Sequence, residues 1–234
     1  MSTPAGEPPR ILTRGDDFLV ADKPAGLATT GRDLDDPDCL QSQLMTHLSR
    51  RKVWAVHQLD KPTSGLCLFA LRKPSVAVWA ERLRAGKKLY LGLVEGALAG
   101  THEVHAPLGR VTLPDGRTQP GLVPGGKASH STVCAVATSE GRTLVTVQIH
   151  TGRTHQARLH LAHLGHPLVG EQMHRHPPCT ALPRPALHSW LLELEGPDGA
   201  PLRLEAPAPA MLTEAAGHLG LTLPSPVGFW SDDA

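Results

Sequence analysis

The chain has 234 residues, 40% of them hydrophobic and 19% charged, with a formal net charge of +1 at pH 7. No apolar run approaches the roughly 18 residues of a membrane helix, and the start, MSTPAGEPPR, carries no apolar signal segment. Cys39, Cys67, Cys134 and Cys179 lie far apart and form no CxxC, which argues against a disulfide or zinc-ribbon scaffold and fits a reducing cytoplasm.

Residues 1–10 read as a disordered tail. Residues 18–21, FLVA, read as a strand, followed by the turn Lys23-Pro24-Ala25-Gly26 and an acidic loop over 33–38. A short helix is predicted over 41–48 and a strand over 53–56. Residues 57–65 form a loop punctuated by Pro62 and Gly65, and 66–71 form a wholly apolar, central strand. Lys73-Pro74-Ser75 opens a helix to Ala85, with Val76, Trp79, Ala80 and Leu83 on one face and Gly86 as its stop. In KLYLGLVEG, Leu89, Leu91 and Leu93 alternate with Tyr90, Gly92 and Val94, a strand pattern. Residues 111–130 read as a long irregular loop. A strand over 143–150 leads to a helix from the N-cap Thr154 to Leu164, and further strands are predicted near 187–194 and 202–204. The order is that of a mixed, largely antiparallel α+β fold with few helices. Its single domain is expected over 11–225, with a tail over 226–234.

Charge is unevenly placed. Residues 50–90 hold ten Lys/Arg and two acids, a net of +8 against −7 for the remainder. A phosphate-facing surface and a solvated basic face account for this block equally well. Eight of the fourteen histidines fall within 150–188, but without zinc-finger spacing, and read as polar or hydrogen-bonded side chains. GLVPGGK over 121–127 fits G-x-x-x-x-G-K, yet Ala128 stands where a P-loop needs Ser or Thr. Cys67 lies in an apolar run and reads as a packing thiol. Asp60 stands at a strand end in a loop of turn-formers and small polar residues. Such a carboxylate serves chemistry or an Asx-type turn, and the residues alone leave both open.

Three segments in order, with a fourth near the start, carry a resemblance. His57-Gln58-Leu59-Asp60-Lys61-Pro62-Thr63-Ser64-Gly65-Leu66 resembles the H-R-L-D-x-x-T-S-G-L signature of the RluA-type RNA pseudouridine synthases. Residues 87–96 resemble that family's K-x-Y-x-A-x-V-x-G strand. Residues 151–162, TGRTHQARLHLA, resemble its T-G-R-T-H-Q-I-R-V-H-L-A motif, and 19–27 resemble its K-P-x-G-L opening. The resemblance implies a catalytic aspartate at Asp60, a tyrosine stacking on the target uracil at Tyr90, the only tyrosine of the chain, and a basic partner at Arg153. It implies that His57, Gln58, Thr63, His155 and Gln156 face RNA, and it gives Arg50, Arg51, Lys52, Lys87 and Lys88 a phosphate-binding role. No cofactor or metal is expected. The expected partner is structured ribosomal or transfer RNA, bound by a monomeric catalytic domain without an S4 domain, in the cytoplasm and not at a membrane. Gln58 departs from the family's arginine two residues before the aspartate. That departure alone supports a rival reading, a non-catalytic RNA-binding or chaperone protein on the same scaffold.

Overall fold

The structure is a computed structural model and describes residues 8–33 and 36–230. In chain order its elements are β1 (Arg10–Arg14), β2 (Phe18–Lys23), α1 (Leu40–His47), β3 (Trp54–Ala55), β4 (Ser64–Ala70) and α2 (Ser75–Ala85). There follow β5 (Lys87–Glu95), β6 (Thr101–His105), β7 (Leu108–Thr112), β8 (Thr118–Leu122), β9 (His130–Ser139) and β10 (Arg142–Ile149). The chain ends with α3 (Gln156–His163), β11 (Leu187–Glu195), β12 (Pro201–Glu205), α4 (Ala210–His218) and a 3-10 turn, Val227–Phe229. No helix among the described residues is long and apolar enough to cross a membrane. The predicted tail over 1–10 falls largely outside the described residues, as does the middle of the acidic loop over 33–38.

The described elements pack as two compact units. The first holds residues up to Lys88 together with 188–208 and 226–230. Its strands run in the order β1-β2-β4-β11, with β12 on β11 and β3 on β4. The pairs are antiparallel except β4 with β11, which meet in parallel at His188↔Ser64 and Ser189↔Gly65. Every residue of β4 is buried. An unbroken apolar run is what a strand covered on both faces requires. On one face Trp79 and Leu83 of α2 meet Phe18, Val20, Leu66, Leu68 and Leu192. Trp79 packs on Phe18 and anchors its indole N–H on Asp17, 3.2 Å away. Gly65 adopts φ +110°, and a Cβ there would lie 2.1 Å from the Ser189 carbonyl oxygen. The T-S-G step therefore needs a glycine to let β4 run beside β11. Cys67 is buried here, and burial pushes its thiol up to about 12, as befits a packing residue.

The second unit holds 89–187 and 209–225. Its strands follow the order β5-β10-β9-β6, all antiparallel, and β7 pairs with β8 as a separate ribbon. Val94, Val133, Val145, Val147 and Ile149 form its core with Ala157 and Leu161 of α3.

Two expectations are corrected. Residues 111–130 are not one irregular loop: Leu113 to Arg117 close a β7–β8 hairpin with a turn at Pro114-Asp115-Gly116, Gly116 at φ +82°. Pro120 and Gly121, poor strand residues, hid β8, but a ribbon paired only with β7 tolerates them. The helix after the T-G-R-T motif is capped by His155 in the left-handed region (φ 57°, ψ 21°), one residue after Thr154. Strands β1 and β6 and helix α4 have no counterpart among the sequence expectations.

Candidate active site

In the first unit the chain from β3 to β4 carries Asp60, and its neighbours are fixed from both sides. Leu59 donates its N–H to the Thr29 hydroxyl (3.0 Å), and that hydroxyl donates to the Leu59 carbonyl (3.1 Å). Lys23 is completely buried, and its ammonium donates to the carbonyls of Pro24 (2.9 Å), Leu27 (2.7 Å) and Lys61 (3.3 Å). The Lys61 carbonyl also accepts from the Gly26 N–H at 2.8 Å, and Thr63 N–H closes on the Asp60 carbonyl at 2.9 Å. A buried cation with several acceptors is a stiff anchor, because freeing any carbonyl leaves charge unpaired. The K-P-x-G-L turn thus grips the backbone on either side of the half-buried Asp60.

His57 Nε2 accepts the Leu68 N–H at 3.1 Å, so the ring is neutral with its proton on Nδ1. Burial, with the Lys88 charge adding, pushes the imidazole down to about 4. Gln58 is exposed and donates to the Thr30 hydroxyl at 3.1 Å. The Thr63 hydroxyl is buried and makes no hydrogen bond among the described residues. Ser64 contacts His188 Nδ1 at 2.9 Å while His188 Nε2 contacts the Ala206 carbonyl at 3.0 Å. The carbonyl can only accept, so Nε2 carries the ring proton and Ser64 donates to Nδ1.

In the second unit Tyr90 sits on β5 opposite Val147, half-buried against the core. Arg153 is exposed and donates through Nε to the Ala128 carbonyl at 3.1 Å. Gln156 organises the loop that carries it. Its oxygen accepts from the Thr151 hydroxyl (2.7 Å) and the Arg153 N–H (3.1 Å), and its amide donates to the His130 carbonyl and the Ser131 hydroxyl, both 2.8 Å. Those four bonds use the side chain's full capacity. Gln156 is therefore an internal strut of the loop at which the resemblance implies an RNA contact.

Ser131 passes its own proton to His160 Nδ1 (2.9 Å), and His160 Nε2 donates to Ser129 (2.8 Å), whose hydroxyl donates to the Ala106 carbonyl. Burial pushes His160 down to about 4, consistent with a neutral ring in this chain. Two residues before His160, Arg158 forks onto Glu171 through Nε (2.9 Å) and Nη2 (2.8 Å), with both side chains at most 5% exposed. Glu171 also accepts the N–H groups of Met173 (2.9 Å) and His174 (3.1 Å). Burial pushes the carboxyl up, but Arg158 and these N–H groups outweigh it and hold Glu171 well below the usual carboxylate range. His155 Nδ1 meets His174 Nε2 at 2.8 Å.

Arg50, Arg51 and Lys52 are exposed in the turn after α1. Lys87 and Lys88 are half-buried, and each ammonium donates at 2.6 Å to a carbonyl, of Phe229 and Leu83 respectively. Asp60 thus belongs to the first unit with His57, Gln58, Thr63 and the five basic residues, and Tyr90, Arg153, His155 and Gln156 to the second. Lys23, Arg158 and Glu171 were not singled out from the sequence. Lys23 and Arg158 stood inside the quoted motifs, where a fixed Lys or Arg amid apolar residues is itself a signal of a buried, paired charge.

The class follows from these parts. A mixed sheet protein with few helices presents one aspartate in a doubly clamped interstrand loop and an Arg/His-rich loop braced ahead of a short helix. Residues 17–163 match the RNA pseudouridylate synthase family, and the chain belongs to it. It is 36% identical over 91% of its length to ribosomal large subunit pseudouridine synthase D of Nitrosomonas europaea and 31% identical over 85% to that of Pseudomonas aeruginosa, spanning 66% and 68% of those proteins. It is 31% identical over 80% of its length to tRNA pseudouridine synthase C of Haemophilus ducreyi, covering 85% of that protein. The fold matches the solved human RNA pseudouridylate synthase domain containing 4 with a TM-score of 0.74 at 20% identity, across 92% of this chain and 95% of that one.

Proposed function

We propose that this chain isomerises uridine to pseudouridine in structured ribosomal or transfer RNA. The observation that carries the reading is the Asp60 loop, a carboxylate on a backbone anchored by Lys23 and Thr29, in a member of this family. The reaction breaks the bond between N1 of uracil and C1′ of the ribose, turns the base, and joins C5 to C1′. A proton leaves C5 and one is gained at N1, so atoms balance with no oxidant and no net water. Asp60 is the carboxylate that drives the bond change, and an anchored backbone keeps it in place while the base turns. Tyr90 supplies a ring for the detached uracil and a hydroxyl for proton movement. Extruding the uridine costs roughly a few kcal/mol, and stacking on an aromatic ring returns about 1–3 kcal/mol. The unsatisfied Thr63 hydroxyl and the exposed Arg50, Arg51 and Lys52 provide further contacts, so binding weakens with salt.

Arg153 is the basic partner of Asp60 that the resemblance names, whereas Arg158 is committed to Glu171. Arg153→Ala with wild-type turnover contradicts that role. Pseudouridine mapping of total RNA from cells with and without the gene tests the function itself. Loss of one or a few sites in the deletion is expected, and an unchanged map contradicts it.

A further inference from the structure

A second cluster stands on the outer face of the strand whose His130 carbonyl and Ser131 hydroxyl accept from Gln156. On the unit-two sheet, β6 and β9 pair with His105 opposite His130 and Glu103 opposite Thr132. Side chains alternate along a strand, so Glu103, His105, His130 and Thr132 project from one face while Val104, Ser131 and Val133 are buried behind them. His150, just past β10, donates its backbone N–H to the His130 carbonyl and extends the row. The three imidazoles stack across neighbouring strands, His105 on His130 and His130 on His150, each pair at 4.1 Å between ring centres and tilted by 13° and 16°.

Glu103 is already oriented. Its carboxylate accepts from the Thr132 hydroxyl at 2.8 Å and from His130 Nε2 at 2.5 Å. Having given its proton to Glu103, Thr132 must accept from His150 Nε2, 2.8 Å away. The His105 ring makes no hydrogen bond among the described residues; stacking on His130 holds it. One ligand atom from each of Glu103, His105 and His130 lies within 4.8 Å of the others. A tetrahedral zinc site places such atoms about 3.3 Å apart, a contraction that side-chain rotation supplies on an exposed face.

We propose that Glu103, His105 and His130 bind one divalent transition-metal ion of the zinc type. Two neutral imidazoles and a carboxylate are a borderline-hard donor set suited to zinc over magnesium or calcium, and solvent completes the coordination. The ion takes the place of the proton shared by His130 and Glu103, and the His130 ring then carries its proton on Nδ1. His150 and Thr132 hold the first ligands in orientation from the outer shell. Because Glu103 and His105 come from β6 and His130 from β9, the bound ion fastens the edge strand to its neighbour. The proposed uridine chemistry itself needs no metal, and the His130 backbone ties the ion's strand to Thr151 and Gln156 of the Arg153 loop. The trio lies ahead of the histidine-rich stretch 150–188, and sheet pairing rather than sequence spacing joins it.

The test uses the full chain stripped with a chelator. Equilibrium dialysis against zinc near neutral pH gives saturable binding of one ion at this site. His105→Ala and Glu103→Gln each weaken it by about 10–100-fold, while His218→Ala, an exposed histidine on α4, leaves it unchanged. Copper(II) bound to the wild-type chain shows two coupled imidazole nitrogens by electron paramagnetic resonance, and His105→Ala shows one. A wild-type copper spectrum with fewer than two nitrogens, or a folded His105→Ala chain with wild-type zinc affinity, overturns the proposal.

Discussion

Replacing Glu171 with glutamine leaves the Arg158 guanidinium buried without its counter-charge. Both side chains are almost wholly inaccessible, and the carboxylate collects four hydrogen bonds, two from Arg158 and two from backbone N–H groups. Glutamine keeps the shape but turns an NH₂ group toward at least one of those donors. Breaking one side of a buried ion pair costs about 3–5 kcal/mol, because the remaining charge stays desolvated. That is a large share of the roughly 5–15 kcal/mol by which domains are stable. With a urea dependence of about 3 kcal/mol per molar, the unfolding midpoint falls by roughly 1–2 M. The double variant Arg158→Met, Glu171→Leu recovers most of the loss, since no charge then remains buried. Acid adds a sign. The Glu171 carboxyl is held below its unfolded value, so its contribution is fully present above the unfolded value near 4.5 and lost as pH falls through the lowered one. Glu171→Gln lacks that acid step. A single variant within about 1 kcal/mol of wild type, or a double variant no more stable than the single one, refutes the reasoning.

Lys23→Met removes the ammonium from three carbonyls around the Asp60 loop and costs about 3 kcal/mol, with pseudouridine formation falling even where the chain stays folded; urea denaturation and turnover measured together check it, and wild-type turnover contradicts the anchoring role. His160 is held neutral down to about 4, whereas the unfolded ring takes a proton near 6.5. Stability therefore falls by about 1.4 kcal/mol per pH unit on lowering pH through that window, and His160→Gln flattens the slope; a His160 resonance titrating near 6.5 in the folded protein removes the effect.

Much of the fold was legible where pattern and pairing agree. The apolar 66–71 run became β4 because burial on both faces needs no alternation, and Trp79 and Leu83 were placed on the buried face of α2 by helical spacing. Where strands are polar the pattern fails. β6, THEVH, and the start of β9, HST, carry the histidine face outward, so few apolar residues mark them. β8 reads as a breaker segment because its partner, a single ribbon strand, asks little of it. For the site, motif order located the Asp60 loop and the Arg153 loop. It did not show that Gln156 is fully committed inside the unit, or that Lys23 and Glu171 are buried charges. Those facts depend on partners 13 to 38 residues away in sequence, which no local spacing reveals.

The central claim is that Asp60 performs the isomerisation. Release of tritium from uracil-5-labelled RNA, measured for wild type, Asp60→Asn and Asp60→Ala with unfolding midpoints recorded beside it, tests this most directly. Wild type is expected to release tritium and both variants to release none above background while unfolding as wild type does. Turnover at the wild-type rate in either variant contradicts the account.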